Sequence, residues 1–269
     1  MPMPQNLIFV RHGESEGNVA NHLSKRGDDT LFTPEFKSRH TSLWRLTDKG
    51  RGQAQIAGAW IKENIGSQFA KYYTSEYIRT METAALLGLP HAEWFCEFYL
   101  RERDWGDLET TTAQERETLF ARALKKRETQ PFLWTPPGGE SMASLCLRID
   151  RFLDTLHREC DDKNVIVVCH GEVMWAFRVR LERMSQEEYL LLDRSKDPKD
   201  RINNCQIIQY SRINPRSGMS HSYLNWMRSV CPSDTTRSRN EWQEVIRKQY
   251  SNEELLERVS HVQPFVKTL

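Results

Sequence analysis

Leu7-Ile8-Phe9-Val10-Arg11-His12-Gly13-Glu14-Ser15-Glu16-Gly17-Asn18 is the stretch that decides how this chain folds. Its first four residues form a short unbroken apolar run, the pattern of a strand buried on both faces. The run stops at an arginine, a histidine and a glycine, which places a cation and an imidazole at the carboxyl end of a strand. Chemistry-bearing residues follow two further strand-like runs. Ser75 to Arg79 follow a strand-like run, Lys71 to Thr74, and His170-Gly171 follow Val165 to Cys169. Open parallel sheets bind ligands in the crevice beyond the carboxyl ends of their strands, so these three segments are expected to meet in one pocket.

Further strand-like runs lie at Glu93 to Phe98 and Cys205 to Tyr210. Between the runs are helix-length segments. Gln53 to Glu63 places Ile56, Ala57, Trp60 and Ile61 on one face, and Glu82 to Leu89 is rich in alanine and leucine. Ser141 to Glu159 repeats Leu145, Ile149, Phe152, Leu153 and Leu156 at the helical interval. The alternation predicts an α/β fold, a three-layer α/β/α sandwich around a mostly parallel central sheet.

The chain has 269 residues, enough for one large domain with an appendage or for two small ones. Its 38 basic and 37 acidic side chains leave a net charge of +1, so no global field draws it to nucleic acid or to an anionic membrane. Any anion site must be a local cluster. No apolar run is long enough to cross a bilayer, and Met1-Pro2-Met3-Pro4 lacks the basic start of a secretory signal. The six cysteines are far apart and form no C-x-x-C pair, a pattern expected of reduced thiols in a cytoplasmic protein.

The expected pocket holds Arg11, His12, Arg79 and His170, with backbone amides from Gly13 and Gly171. That content suits a phosphate dianion, and hence a small phosphorylated substrate. It suits a metal ion poorly, because two histidines fall short of a usual ligand set and the arginines repel a cation.

These residues also resemble a family. Arg11 to Asn18 looks like the R-H-G-E-[ST]-x-x-N signature of the histidine phosphatase superfamily, the phosphoglycerate mutase-like proteins. Leu46-Thr47-Asp48-Lys49-Gly50 resembles the L-T-x-x-G start of its first long helix. Ser75 to Ala84 resembles S-x-x-x-R-x-x-x-T-A, Pro136 to Ser141 resembles a G-G-E-S helix start, and Val168-Cys169-His170-Gly171 resembles the second-histidine motif. The resemblance covers residues 6–210. It implies a phosphoryl transfer in which His12 is the nucleophile, with Arg11, Asn18, Arg79, protonated His170 and Gly171 around the phosphate and no metal or cofactor. It also implies an acid on the loop after the third motif that protonates the leaving oxygen. Leu100 to Glu109 looks like that loop, and Glu102 is the expected acid. Arg101 and Arg103 flank it and would lower its pKa, so Asp104 and Glu109 are the alternatives. The remaining histidines, His22, His40, His91, His157, His221 and His261, are expected to have no catalytic role.

Three readings of function follow. Glu102 and His170 are 170 − 102 = 68 positions apart, which resembles the compact phosphatase branch and favours metal-independent phosphomonoester hydrolysis. A phosphoglycerate-type mutase and a non-catalytic binding module on the same fold are the alternatives, and an intact nucleophile set argues against the module. Two features depart from the pattern. A long polar segment, Val19 to Arg45, precedes Leu46 and is expected to overhang the pocket, and Glu172 puts an acid beside an anion site.

The expected catalytic domain is residues 1–211, followed by an extension, residues 212–269. The extension begins as a basic connector with Arg212, Arg216, Arg228, Arg237 and Arg239 and carries a capping box at Ser251 to Glu254. The apolar face of that last helix packs either on the domain or on a second copy of the chain, as a homodimer; the sequence leaves both open.

Overall fold

In a computed structural model of the chain, residues 3–266 are described; the outermost ends of the two expected segments, residues 1–2 and 267–269, lie outside them. Seven strands form one sheet: β1 (Asn6–Arg11), β2 (Lys71–Thr74), β3 (Trp94–Cys96), β4 (Asn164–Cys169), β5 (Ile207–Ser211), β6 (Trp226–Val230) and β7 (Arg239–Glu244). Among the described residues ten α-helices accompany them: α1 (Glu16–Ser24), α2 (Pro34–Ser38), α3 (Asp48–Asn64), α4 (Ile78–Leu86), α5 (Ala113–Leu119), α6 (Ala121–Thr129), α7 (Met142–Glu159), α8 (Gly171–Glu182), α9 (Gln186–Asp193) and α10 (Asn252–Ser260).

β1 and β4 are buried on both faces, as their apolar runs require. Leu7 and Phe9 of β1, with Val165 and Val167 of β4, enter a core with α7 and α8. Ile8, Val10, Ile166 and Val168 face the opposite core, against α3 and α4. α7 is the most regular helix. Met142, Leu145, Ile149, Phe152 and Leu156 are fully buried at the helical interval, and Ser141 caps it by accepting from the Ser144 amide. α3 begins five residues before the expected Gln53, because Thr47 caps it. Its buried face is Ala54, Ala57, Gly58 and Ile61, while Ile56, expected inside, is exposed.

The strand order is β3-β2-β4-β1-β5-β6-β7. The first three pairings are parallel, and the last three, β1 with β5, β5 with β6 and β6 with β7, are antiparallel. The sheet is therefore parallel only in part, a correction to the mostly parallel expectation. The cause is the connection from β4 to β5. It contains two helices, α8 and α9, where a single crossover helix would have returned the chain to the amino end of the sheet. The chain is back at the carboxyl end of β1 when β5 begins, with Ile207 opposite Val10. Beyond Ser211 the sheet continues, because β6 pairs with β5 along Ser211↔Trp226 to Ile207↔Val230. The stretch read as a basic connector thus contains two strands. The capping box at Ser251 and Glu254 opens α10.

Candidate active site

The site is assembled at the carboxyl ends of β1, β2 and β4, and two glycines set its floor. A Cβ on Gly13 would lie 2.3 Å from the Gly50 carbonyl oxygen, and one on Gly50 would lie 2.0 Å from that of Glu14. No side chain fits at either place, so the turn after β1 meets the first turn of α3 backbone to backbone. Polar contacts fix the joint. Thr47 Oγ1 donates to Glu14 Oε1 at 3.0 Å, Lys49 Nζ reaches Glu14 Oε2 at 2.8 Å, and the Gly13 amide donates to Thr83 Oγ1 at 3.1 Å. The L-T-x-x-G and T-A pieces of sequence thus hold the loop that carries His12.

His12 is buried, and its Nδ1 lies 2.7 Å from the Gly13 carbonyl oxygen. A carbonyl only accepts, so Nδ1 carries the proton and Nε2 keeps a lone pair. Arg79 Nε donates to that Nε2 at 3.3 Å. His12 stays neutral well below the ordinary imidazole pKa, chiefly through burial and then through the charges of Arg79 and Arg11.

His170 follows β4 as the residue before α8, and its ring centroid is 5.2 Å from that of His12. Its Nε2 lies 2.9 Å from Ser75 Oγ, and its Nδ1 is buried with no hydrogen-bond partner. Burial first, then Arg79, His12 and Arg11, holds its pKa well below the ordinary value too. The expected protonated His170 is thus corrected for the protein alone: two nearby guanidinium groups and a dry site oppose a third positive charge.

Backbone carbonyls aim the arginines. Arg79 Nη1 donates to the Thr41 carbonyl at 2.7 Å, and Arg11 Nη1 to that of Ile202 at 2.7 Å. Arg11 Nε, like His170 Nδ1, is buried with no partner. Gly171 lies against it: a Cβ there would be 3.4 Å from that nitrogen, at ordinary van der Waals contact. Asn18 forms a capping box with Ser15 and accepts from Asn204 Nδ2 at 3.0 Å, so its NH2 group is the end not engaged by these partners.

Glu102 stands among these groups. Its pKa is pushed up to about 7 by burial and by the nearby Glu172, against the opposing pull of Arg79, the Arg103 amide and Arg11. The side chains of the two flanking arginines turn elsewhere. Arg101 stacks over the Phe98 ring at 4.3 Å, and Arg103 lies over Trp105 at 4.7 Å and pairs with Glu172 at 3.3 Å. The alternatives are less suited. Asp104 is exposed and accepts from the Gly106 amide at 2.7 Å, and Glu109 takes the Trp105 amide at 3.4 Å.

The structure therefore brings together Arg11, His12, Arg79, Glu102, His170 and Gly171, with Asn18 at the edge. The sequence reading assigns no role in the site to Ser75, Thr41, Ile202 or Asn204. Ser75 opens the quoted arginine motif and was findable there. Thr41 and Ile202 act through carbonyls and have no side-chain signature. Val19 to Arg45, expected to overhang the site, supplies the Thr41 carbonyl and contains α2, whose Lys37 pairs with Glu115 at 2.6 Å. Among the described residues no group of three or more histidine, cysteine, aspartate or glutamate side chains is placed to hold a metal ion. Nor is any helix of the described residues long and apolar enough to cross a membrane. All six cysteines are free thiols.

Comparison with known proteins agrees with this geometry. Residues 7–196 match the histidine phosphatase superfamily (branch 1), and the chain belongs to that family. A 2,3-bisphosphoglycerate-dependent phosphoglycerate mutase from Parvibaculum lavamentivorans is 31% identical over 206 residues, which span 71% of this chain and 86% of that protein. Among solved structures, a putative alpha-ribazole-5'-P phosphatase from Escherichia coli superposes with a TM-score of 0.61 at 18% identity, covering 90% of this chain and 96% of that one. A mycobacterial glucosyl-3-phosphoglycerate phosphatase superposes with a TM-score of 0.60 at 21% identity, covering 77% and 92%. At these identities the two superpositions speak for the fold alone.

Proposed function

We propose that the chain is a metal-independent phosphomonoester hydrolase that works through a phosphohistidine on His12. The observation that carries this reading is the pair of buried, unpartnered nitrogens, Arg11 Nε and His170 Nδ1, beside the lone pair of His12 Nε2. Buried polar atoms are seldom left without a partner, and a phosphate oxygen satisfies both. A phosphoryl dianion between the two rings also supplies the negative charge that favours the imidazolium of His170.

The steps follow from the positions. His12 Nε2 attacks phosphorus in line, and Arg11, Arg79, His170 and Asn18 take the charge spread over the equatorial oxygens. Glu102, protonated near neutrality, gives its proton to the leaving alkoxide. The resulting carboxylate then takes a proton from water as that water attacks the phosphohistidine, which releases phosphate and restores both groups.

Release, rather than transfer to a second substrate hydroxyl, is favoured by how the inward arginines between Glu102 and His170 are engaged. Arg103 pairs with Glu172, Arg148 with Glu140 at 2.8 Å, and Arg116 donates to Asn21 at 2.8 Å. A mutase must hold a bisphosphate as it turns over, which calls for cations uncommitted to protein partners. Phosphate release from a panel of phosphorylated alcohols, with and without a chelator, tests the proposal. Chelator-insensitive release supports it; isomerisation of a phosphoglycerate without release would favour the mutase.

A further inference from the structure

A chain of hydrogen bonds runs from the main-chain carbonyl of His12 to the side chain of Asn18. Asn204, on the loop before β5, donates from Nδ2 to the His12 carbonyl at 3.2 Å and to Asn18 Oδ1 at 3.0 Å. A carbonyl only accepts, so the nitrogen end of the Asn204 amide must face His12. That nitrogen in turn obliges Asn18 to present its oxygen. The Ser15 amide, which donates to Asn18 Oδ1 at 3.2 Å, independently requires the same orientation. The NH2 group of Asn18 is left to face away from both, and it makes no hydrogen bond to the described residues. The loop is built to hold this contact. Cys205 is buried and left-handed at φ 53°, a conformation few non-glycine residues adopt, and its amide donates to the same His12 oxygen at 3.3 Å. Arg11 is held by the same loop, through its amide to the Gln206 carbonyl at 3.0 Å and its Nη1 to that of Ile202.

We propose that Asn204 is a positioning residue for phosphoryl transfer: it holds the Asn18 amide in the orientation that offers NH2, and not C=O, to the phosphate oxygens. The inference rests on the phosphomonoesterase reading above. An asparagine amide is nearly symmetric in shape, so its hydrogen-bond partners decide which end faces the ligand. The two ends act on the phosphate with opposite sign. A donor there stabilises the charge on the equatorial oxygens, and an acceptor repels it. The His12 carbonyl thus sets, through Asn204, the donor that serves the reaction at its own ring.

The test uses the full-length protein, an aryl phosphate as substrate and inorganic phosphate as inhibitor. Asn204→Asp keeps the shape of the side chain and replaces the donor by an acceptor, which turns the Asn18 amide over. It should lower kcat/KM by about 10- to 100-fold and weaken inhibition by phosphate. Asn204→Ala leaves the Ser15 amide to orient Asn18 and the Cys205 amide on the His12 carbonyl, so it should lose less, about three- to tenfold. A packing role predicts the reverse order, because alanine removes the side chain that aspartate retains. In an Asn18→Ala protein either change at Asn204 should cost less than about twofold, since the group it acts on is gone. A carboxylate that merely repelled phosphate would cost as much there as in the parent protein. Urea unfolding checks that each variant is folded, and if Asn204→Asp is not, the cycle of Asn204→Ala with Asn18→Ala decides alone. A greater loss in Asn204→Ala than in Asn204→Asp, no loss in either, or a loss undiminished by Asn18→Ala overturns the inference and leaves the hydrolase reading standing. No phosphate released by the unaltered protein overturns the hydrolase reading and the inference with it.

Discussion

Arg79 donates a hydrogen bond from Nε to Nε2 of His12, across 3.3 Å, while its Nη1 is held by the Thr41 carbonyl. One guanidinium thus marks the lone pair of the proposed nucleophile and, in the proposed reaction, would meet a phosphate oxygen. Its charge also helps to keep that imidazole unprotonated. Arg79→Lys keeps the charge and loses the planar fork, so it should lower kcat/KM by about 10²-fold or more rather than behave as a conservative change. Steady-state kinetics on an aryl phosphate check this.

Glu102→Gln separates proton donation from phosphoryl binding. Hydrolysis of an alkyl phosphate should fall by about 10²- to 10⁴-fold, while an aryl phosphate with a good leaving group should lose far less. Equal losses on both would move the acid role to Asp104 or Glu109.

The pH profile follows from the same carboxyl. Glu102 acts as an acid only when protonated, so kcat/KM on an alkyl phosphate should decline as pH rises through about 7. Glu172 raises that pKa, so Glu172→Gln should move the alkaline limb to lower pH. The group also bears on stability. Its folded pKa lies above its unfolded value, so ionisation costs folding free energy once pH passes the unfolded pKa, and the cost grows until about 7. Glu102→Gln should therefore raise Tm at pH 8.5 and leave it nearly unchanged at pH 4.5, with at most about 3 kcal/mol gained.

Much of this arrangement can be read from the chain because side chains carry it. The apolar runs of β1 and β4 and the helical repeat of α7 give their burial directly, and the arginines and histidines at the strand ends locate the pocket. Other parts leave no such mark. β7 reads Arg239-Asn240-Glu241-Trp242-Gln243-Glu244, a largely exposed edge strand held by main-chain pairing to β6 and not by an apolar alternation. The antiparallel direction of β5 is set by the return of the chain through α9, which composition does not record. The turning of Arg101 and Arg103 away from Glu102 depends on Phe98 and Trp105, aromatic neighbours whose role shows only in three dimensions.

The arginines of the extension do different work and should respond differently to removal. Arg228 lies between the Trp60 and Trp242 rings, at 5.1 and 5.0 Å, and donates to Gln209 Oε1 at 2.8 Å. Arg239 bridges Asp197 and Asp200. Arg228→Ala should destabilise the protein by about 1–2 kcal/mol in urea unfolding and leave the ranking of substrates unaltered. Arg237→Ala breaks an exposed pair with Asp234 and should change stability by less than about 1 kcal/mol.

The joint under His12 is also testable. Gly50→Ala places a methyl group 2.0 Å from the Glu14 carbonyl oxygen, where neither backbone can yield without moving the catalytic loop. It should cost at least the upper part of the usual overpacking range, about 1–3 kcal/mol, and lower kcat. Denaturant unfolding and kinetics on the purified variant measure both.

Rapid quenching of the protein with a ³²P-labelled substrate tests the central claim most directly. A phosphohistidine predicts label that is bound to the protein, lost in acid, stable in alkali, mapped to His12 and absent from His12→Ala, whose turnover should fall by about 10⁴-fold or more. Label that survives acid, or that persists in His12→Ala, would contradict the account.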